Sequence, residues 1–127
     1  MRDSNVRIGF LGVGTISTAV IHAMSASGRE RPSLFLSPRS ASATRKLAAT
    51  YPHCSRLASY QAVIDASDMV VISMRPQQMD EALEGLVFRP GQVIASFIAA
   101  MPPSRMAPLV APATRIAQLV PLPSIAL

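Results

Sequence analysis

The chain is poor in several residue types, and each shortage narrows what it can be. Cys54 is its only cysteine, tryptophan is missing, and the aromatic set is two tyrosines and four phenylalanines. A lone cysteine excludes an internal disulfide and fits a reducing, cytoplasmic setting. Neither histidine is placed by a motif to activate Cys54, so it is expected to pack in the core. His53 beside Cys54 makes two candidate ligands, too few for a zinc site, so no metal is expected. No uninterrupted apolar run approaches the roughly 18 residues of a membrane helix, and Met1–Asn5 lacks the apolar region of a secretory signal. Acids are scarce, seven against twelve basic residues for a net charge of +5, and none occurs between Ser33 and Ala58. The basic residues are scattered, with no aromatic-interleaved basic run, so nucleic acid is not an expected partner.

What the chain does have is a strong opening pattern. Val6, Ile8, Phe10 and Leu11 form an apolar run, and Gly12 and Gly14 punctuate it. Ile16, Ala19, Val20, Ala23 and Met24 then recur with helical spacing, and Gly28 stands where a helix would end. A buried strand thus feeds a helix through a glycine turn. Glycines let backbone N–H groups approach a ligand without a Cβ in the way. The first helical turn adds unpaired N–H groups and partial positive charge. Together these suit the pyrophosphate of a dinucleotide, held by Gly12, Gly14, Thr15 and Ile16. The spacing G-x-G-x-x-G is met at Gly12 and Gly14, whereas Ser17 fills the third position. A residue that small still permits close packing of helix on strand.

The remaining chain alternates short apolar runs with amphipathic segments. Strands are expected at Ser33–Ser37, Cys54–Leu57 (an edge), Asp68–Met74, Gly91–Phe97 and Arg115–Val120. Helices are expected at Ala41–Thr50 behind a Ser40 cap, at Tyr60–Ala66 with Val63 and Ile64 inward, at Gln77–Leu86, and briefly after Pro102. The continuous apolar middle of Asp68–Met74 suits a strand covered on both faces. The 127 residues make one domain. Its class is α/β, a Rossmann-type doubly wound parallel sheet with helices on both faces. Ligands bind such sheets at the carboxyl ends of the strands, where strand order reverses.

The end of the second strand distinguishes the dinucleotides. An NAD site usually places an acid there, about 20 residues past the glycines, on the ribose hydroxyls. This chain has Ser37-Pro38-Arg39-Ser40 instead. A guanidinium can grip two oxygens of a 2′-phosphate, and the serines add hydroxyl donors. Ser37, Arg39 and Ser40 therefore point to NADP. Arg39 can also be read as an ordinary surface arginine in a turn. The remaining conspicuous residues take structural readings. His22 is expected to face solvent, and Asp80, Glu81 and Glu84 form a solvated helix face.

These blocks, in order, resemble the N-terminal half of pyrroline-5-carboxylate reductase, the last enzyme of proline biosynthesis. The resemblance is carried by Ile8–Ala19 (IGFLGVGTISTA), Ser37–Ser40, Asp68–Gln78 (DMVVISMRPQQ), Val93–Ala100 (VIASFIAA) and Arg115–Pro121. Deazaflavin-dependent NADP reductases share much of the same pattern. The chain departs from the family at Thr15, where Asn is frequent, at Arg75, where Lys is usual, and at Leu122-Pro123, where Asn and Thr commonly follow the proline. The resemblance implies that Met74, Arg75 and Pro76 flank the ribose and that Ala99 and Ala100 line the nicotinamide side. It also implies a helical C-terminal domain that dimerises and completes the substrate pocket. Residues 1–127 are then the NADP-binding domain of a longer, homo-oligomeric chain, a naturally short reading frame being the rival explanation.

The expected activity is hydride transfer from NADPH to the C=N bond of a small-molecule imine, with no catalytic acid or base assignable within this chain. The alternatives are a non-catalytic NADP-binding module and a deazaflavin-dependent NADP oxidoreductase. Titration with NADPH and NADH is expected to show NADPH preference that largely disappears in Arg39→Ala. Equal affinities in the wild type would defeat the phosphate assignment.

Overall fold

The computed structural model describes residues 6–25, 32–38, 41–98 and 102–119. Strands β1 (Arg7–Leu11), β2 (Ser33–Leu36), β3 (Cys54–Arg56), β4 (Met69–Ile72), β5 (Val93–Ser96) and β6 (Arg115–Gln118) alternate with helices α1 (Thr15–Ser25), α2 (Ala41–Thr50), α3 (Tyr60–Ala66), α4 (Pro76–Leu83) and α5 (Pro103–Val110). The strands form one sheet in the order β3-β2-β1-β4-β5-β6, every pair parallel. The order reverses between β1 and β4, the topological switch point of a doubly wound sheet.

Alternate residues along each strand feed two separate cores. Ile8, Phe10, Leu34, Leu36, Val71 and Ala95 pack with Ile21 and Leu47, so α1 and α2 cover one face. Leu11, Val70, Ile72 and Ile94 pack with Val63, Met79, Leu83, Met106 and Val110, so α3, α4 and α5 cover the other. Burial on both faces is why the β4 sequence is an unbroken apolar run. α3 crosses directly over β1, because a Cβ added at Gly9 would collide with the Ser67 hydroxyl. Ser59 caps α3 by accepting a hydrogen bond from the Ala62 N–H at 3.1 Å.

Most element boundaries follow the sequence reading, α2 and α3 over their full expected spans. α4 ends at Leu83 rather than at Leu86, because Gly85 takes the left-handed conformation (φ 78°) and turns the chain. Leu86 still packs against the core from beyond that turn. The expected helix-ending Gly28 and the Ser40 cap lie outside the described residues. Cys54 is buried, and burial pushes its thiol up to about 11. Among the described residues no helix is long and apolar enough to cross a membrane, and no cluster of three potential ligands could hold a metal ion.

The amino ends of β1 and β4 are joined by an exposed ion pair. Arg7 donates from Nη2 to Asp68 Oδ1 and from its backbone N–H to Asp68 Oδ2, each at 3.2 Å. The guanidinium hydrogen bond holds the Asp68 carboxyl below its ordinary value. A lowered native pKa contributes stability that is complete above the unfolded-state value and is lost as pH falls through the native one. Asp68→Asn is expected to cost up to about 1 kcal/mol at neutral pH, the range of an exposed pair. Urea unfolding is expected to show that difference shrinking toward zero below about pH 4.

Candidate functional site

The site begins with the end of β1. Gly12 adopts φ 88°, and a Cβ there would collide with the Ser73 carbonyl oxygen just past β4. Only glycine satisfies both conditions. The Gly12 N–H donates to Ser37 Oγ at 3.0 Å. Backbone bonds from Ser37 N–H to the Phe10 carbonyl (3.2 Å) and from Ser73 N–H to the Leu11 carbonyl (2.9 Å) hold the neighbouring strand ends alongside. The turn is thus fastened on both sides before the chain enters α1.

Gly14 is a different case. It accepts the first helical hydrogen bond, from Thr18 N–H at 2.9 Å, which makes it the residue capping α1. Its φ is not left-handed, and a Cβ added there would meet nothing within 4 Å. Protein packing therefore does not require glycine at this position. The missing Cβ leaves open space in which a ligand can approach the backbone closely.

The space that Gly14 leaves open belongs to a groove of about 530 Å³ at the β1–β4 switch point. Its walls are Gly12, Val13, Gly14, Ile16, Tyr60, Ser73, Met74, Arg75, Gln78 and Phe97. None of these is acidic, and α1 has no acid in its first turn. The helix N-terminus and Arg75 therefore give the groove a positive bias suited to phosphates. Arg75 caps α4 through its backbone: its carbonyl accepts from Gln78 N–H at 2.9 Å, and its N–H donates to Gln78 Oε1 at 3.4 Å. A smaller recess of about 250 Å³ adjoins along Tyr60 and Gln78.

The groove gathers five of the residues nominated from sequence: Gly12, Gly14, Ile16, Met74 and Arg75. Thr15 opens α1 beside it. Pro76 is the exposed first residue of α4 and does not form the wall. Ser37 is wholly buried, and its hydroxyl oxygen accepts the hydrogen bond from the Gly12 N–H, which braces the turn. Arg39, Ser40, Ala99 and Ala100 lie outside the described residues. The other five wall residues, Val13, Tyr60, Ser73, Gln78 and Phe97, were not among the nominated site residues. Tyr60 carried one usable signal, as the first residue of a helix entered from the carboxyl end of a strand.

Ser17, in the third glycine position, is wholly buried, and its hydroxyl has no hydrogen-bond partner among the described residues. Its size suits close packing, but an unpaired buried hydroxyl costs about 1–3 kcal/mol. At the opposite end of the sheet, His22 Nδ1 lies 2.6 Å from the Tyr51 hydroxyl and His53 Nε2 lies 2.9 Å from Ser25 Oγ, remote from the groove.

A doubly wound parallel sheet with a glycine turn feeding a helix at the switch point defines a dinucleotide-binding Rossmann domain. Residues 7–112 match the family described as NADP oxidoreductase, coenzyme F420-dependent, and the chain belongs to that family. No curated protein sequence matches it. Among solved structures it is similar to 1-pyrroline-5-carboxylate reductase from the human pathogen Streptococcus pyogenes, with 26% identity and a TM-score of 0.77, over 94% of this chain and 44% of that one. It is also similar to Plasmodium falciparum pyrroline carboxylate reductase with NADP bound (15% identity, TM-score 0.75, 96% of this chain and 44% of that one). A third relative is an imine reductase from Aspergillus terreus (18% identity, TM-score 0.67, 97% and 44%). The last two likenesses establish the fold. The chain spans less than half the length of each of these relatives.

The two glycines are expected to separate experimentally. Gly12→Ala should destabilise the fold by at least about 1–3 kcal/mol, through overpacking and the positive φ. Gly14→Ala should unfold within about 1 kcal/mol of wild type, as a cap substitution, while binding NADPH at least tenfold more weakly. Chemical denaturation and cofactor titration of both variants check this.

Proposed function

We propose that this chain is the cofactor-binding domain of an NADPH-dependent reductase that transfers hydride to the C=N bond of a small cyclic imine, as pyrroline-5-carboxylate reductases and imine reductases are named for doing. One observation carries the reading: Gly14 borders an acid-free groove at the switch point and has no packing reason to be glycine. The resemblance to the Streptococcus pyogenes enzyme, extending over 94% of the chain, supports the substrate class.

In this reading Gly12, Gly14 and the first turn of α1 hold the pyrophosphate. Met74 and Arg75 flank the adjoining ribose. Phe97, at the end of β5, together with Ala99 and Ala100, lines the nicotinamide side. Gln118 steadies that end by donating from Nε2 to the Ile98 carbonyl at 3.2 Å. NADPH supplies the hydride, and the protein contributes position and electrostatics. The described groove wall contains no histidine, lysine or carboxylate. A helical domain of the kind the resemblance implies would supply the proton for the imine nitrogen and form a homo-oligomer.

The family match favours a second reading, in which the partner of NADP is a deazaflavin. The longest available chain is expected to consume NADPH with pyrroline-5-carboxylate and not with oxidised coenzyme F420. The reverse preference selects the second reading. Tight cofactor binding without turnover on either substrate rejects both in favour of a non-catalytic module.

A further inference from the structure

The third strand carries a charged residue that no motif marks. Arg56 is the last residue of β3 and stands in register with Leu36, the last residue of β2. It is half-buried at the carboxyl edge of the sheet. Its Nε donates to Thr44 Oγ1 at 3.0 Å, and its Nη2 donates to the Pro38 carbonyl at 3.1 Å. Thr44 is wholly buried in the second turn of α2. The guanidinium is therefore held between the Pro38 carbonyl after β2 and the Thr44 hydroxyl of α2.

Both of these partners are neutral oxygens, so the bonds orient the guanidinium without cancelling its charge. Among the described residues no ion pair is formed by Arg56, and strands β2 and β3 and helix α2 carry no acid. Arginine remains charged at any working pH. The result is a preorganised positive charge just past the end of β2. In a doubly wound dinucleotide site that is where the adenosine ribose lies, and where a diester cofactor is told from its 2′-phosphorylated form.

We infer that Arg56 is a specificity-determining residue that selects a 2′-phosphorylated adenosine ribose from the third strand, by holding a fixed positive charge across Pro38 and Thr44. The inference rests on the NADPH reading above. A charge held in place by two hydrogen bonds loses little freedom when an anion arrives, so its attraction is not offset by side-chain ordering. A diphosphate dinucleotide without the extra phosphate gains far less from it.

The test measures binding rather than turnover, titrating NADPH and NADH against wild type, Arg56→Gln and Arg56→Lys, with a melting curve for each. Arg56→Gln is expected to weaken NADPH about tenfold while NADH changes less than about twofold. Arg56→Lys is expected to retain most of the preference, and the wild-type preference is expected to shrink as salt is raised. An unchanged NADPH-to-NADH ratio in Arg56→Gln overturns the inference and leaves the NADPH reading standing. Equal weakening of both cofactors, or a Lys variant as unselective as the Gln variant, also overturns it, because Arg56 would then be structural only. Failure of the wild type to bind NADPH overturns both readings.

Discussion

The hydrogen bond from the Gly12 N–H to Ser37 Oγ ties the end of β1 to the end of β2, while the missing Cβ of Gly12 lets the Ser73 carbonyl close in from β4. Three strands thus converge on one residue. Everything that gives the domain a ligand-binding edge depends on that convergence. It aims α1 so that its unpaired N–H groups open on the groove, and it sets Met74 and Arg75 opposite them. A side chain at Gly12 would have to push β1 and β4 apart, and both are buried on both faces. The close packing of such interiors leaves little room for that adjustment.

The fold was largely legible because its two cores are written as local patterns. Met69–Ile72 is apolar throughout because helices cover both sides, and Tyr60–Ala66 turns Val63 and Ile64 inward. The site was legible only in part. The glycines and the Met74-Arg75 pair follow the ends of the two switch-point strands, where topology alone sends a ligand. Ser37 was legible as a polar residue at the end of β2, but its hydrogen bond with Gly12 was not. Its partner lies 25 positions earlier in the chain, and which of two neighbouring surfaces a hydroxyl meets is settled by strand register. Phe97 escaped because it sits immediately at the strand end, where the residues that follow were expected to form the wall. Tyr60 escaped because only Val63 and Ile64 of its helix were read as facing inward, and its place on the groove depends on how α3 packs over β1.

The groove's chemistry is that of a holder. Its described wall offers backbone donors, apolar contacts, the Tyr60 and Ser73 hydroxyls, one guanidinium and an amide. Such a wall can bind and orient a charged cofactor. A reductase also needs a second wall that brings the acceptor within reach of the nicotinamide, and the relatives are more than twice as long as this chain. The Ser17 hydroxyl, buried on α1 with no hydrogen-bond partner among the described residues, puts a polar atom where the glycine fingerprint would place none.

Cys54 has a practical consequence. Burial pushes its thiol up to about 11 and keeps it away from solvent, whereas alkylation and air oxidation act through an accessible thiolate. A fluorophore or spin label aimed at a cysteine engineered onto the exposed surface of this domain would therefore meet little competition from Cys54.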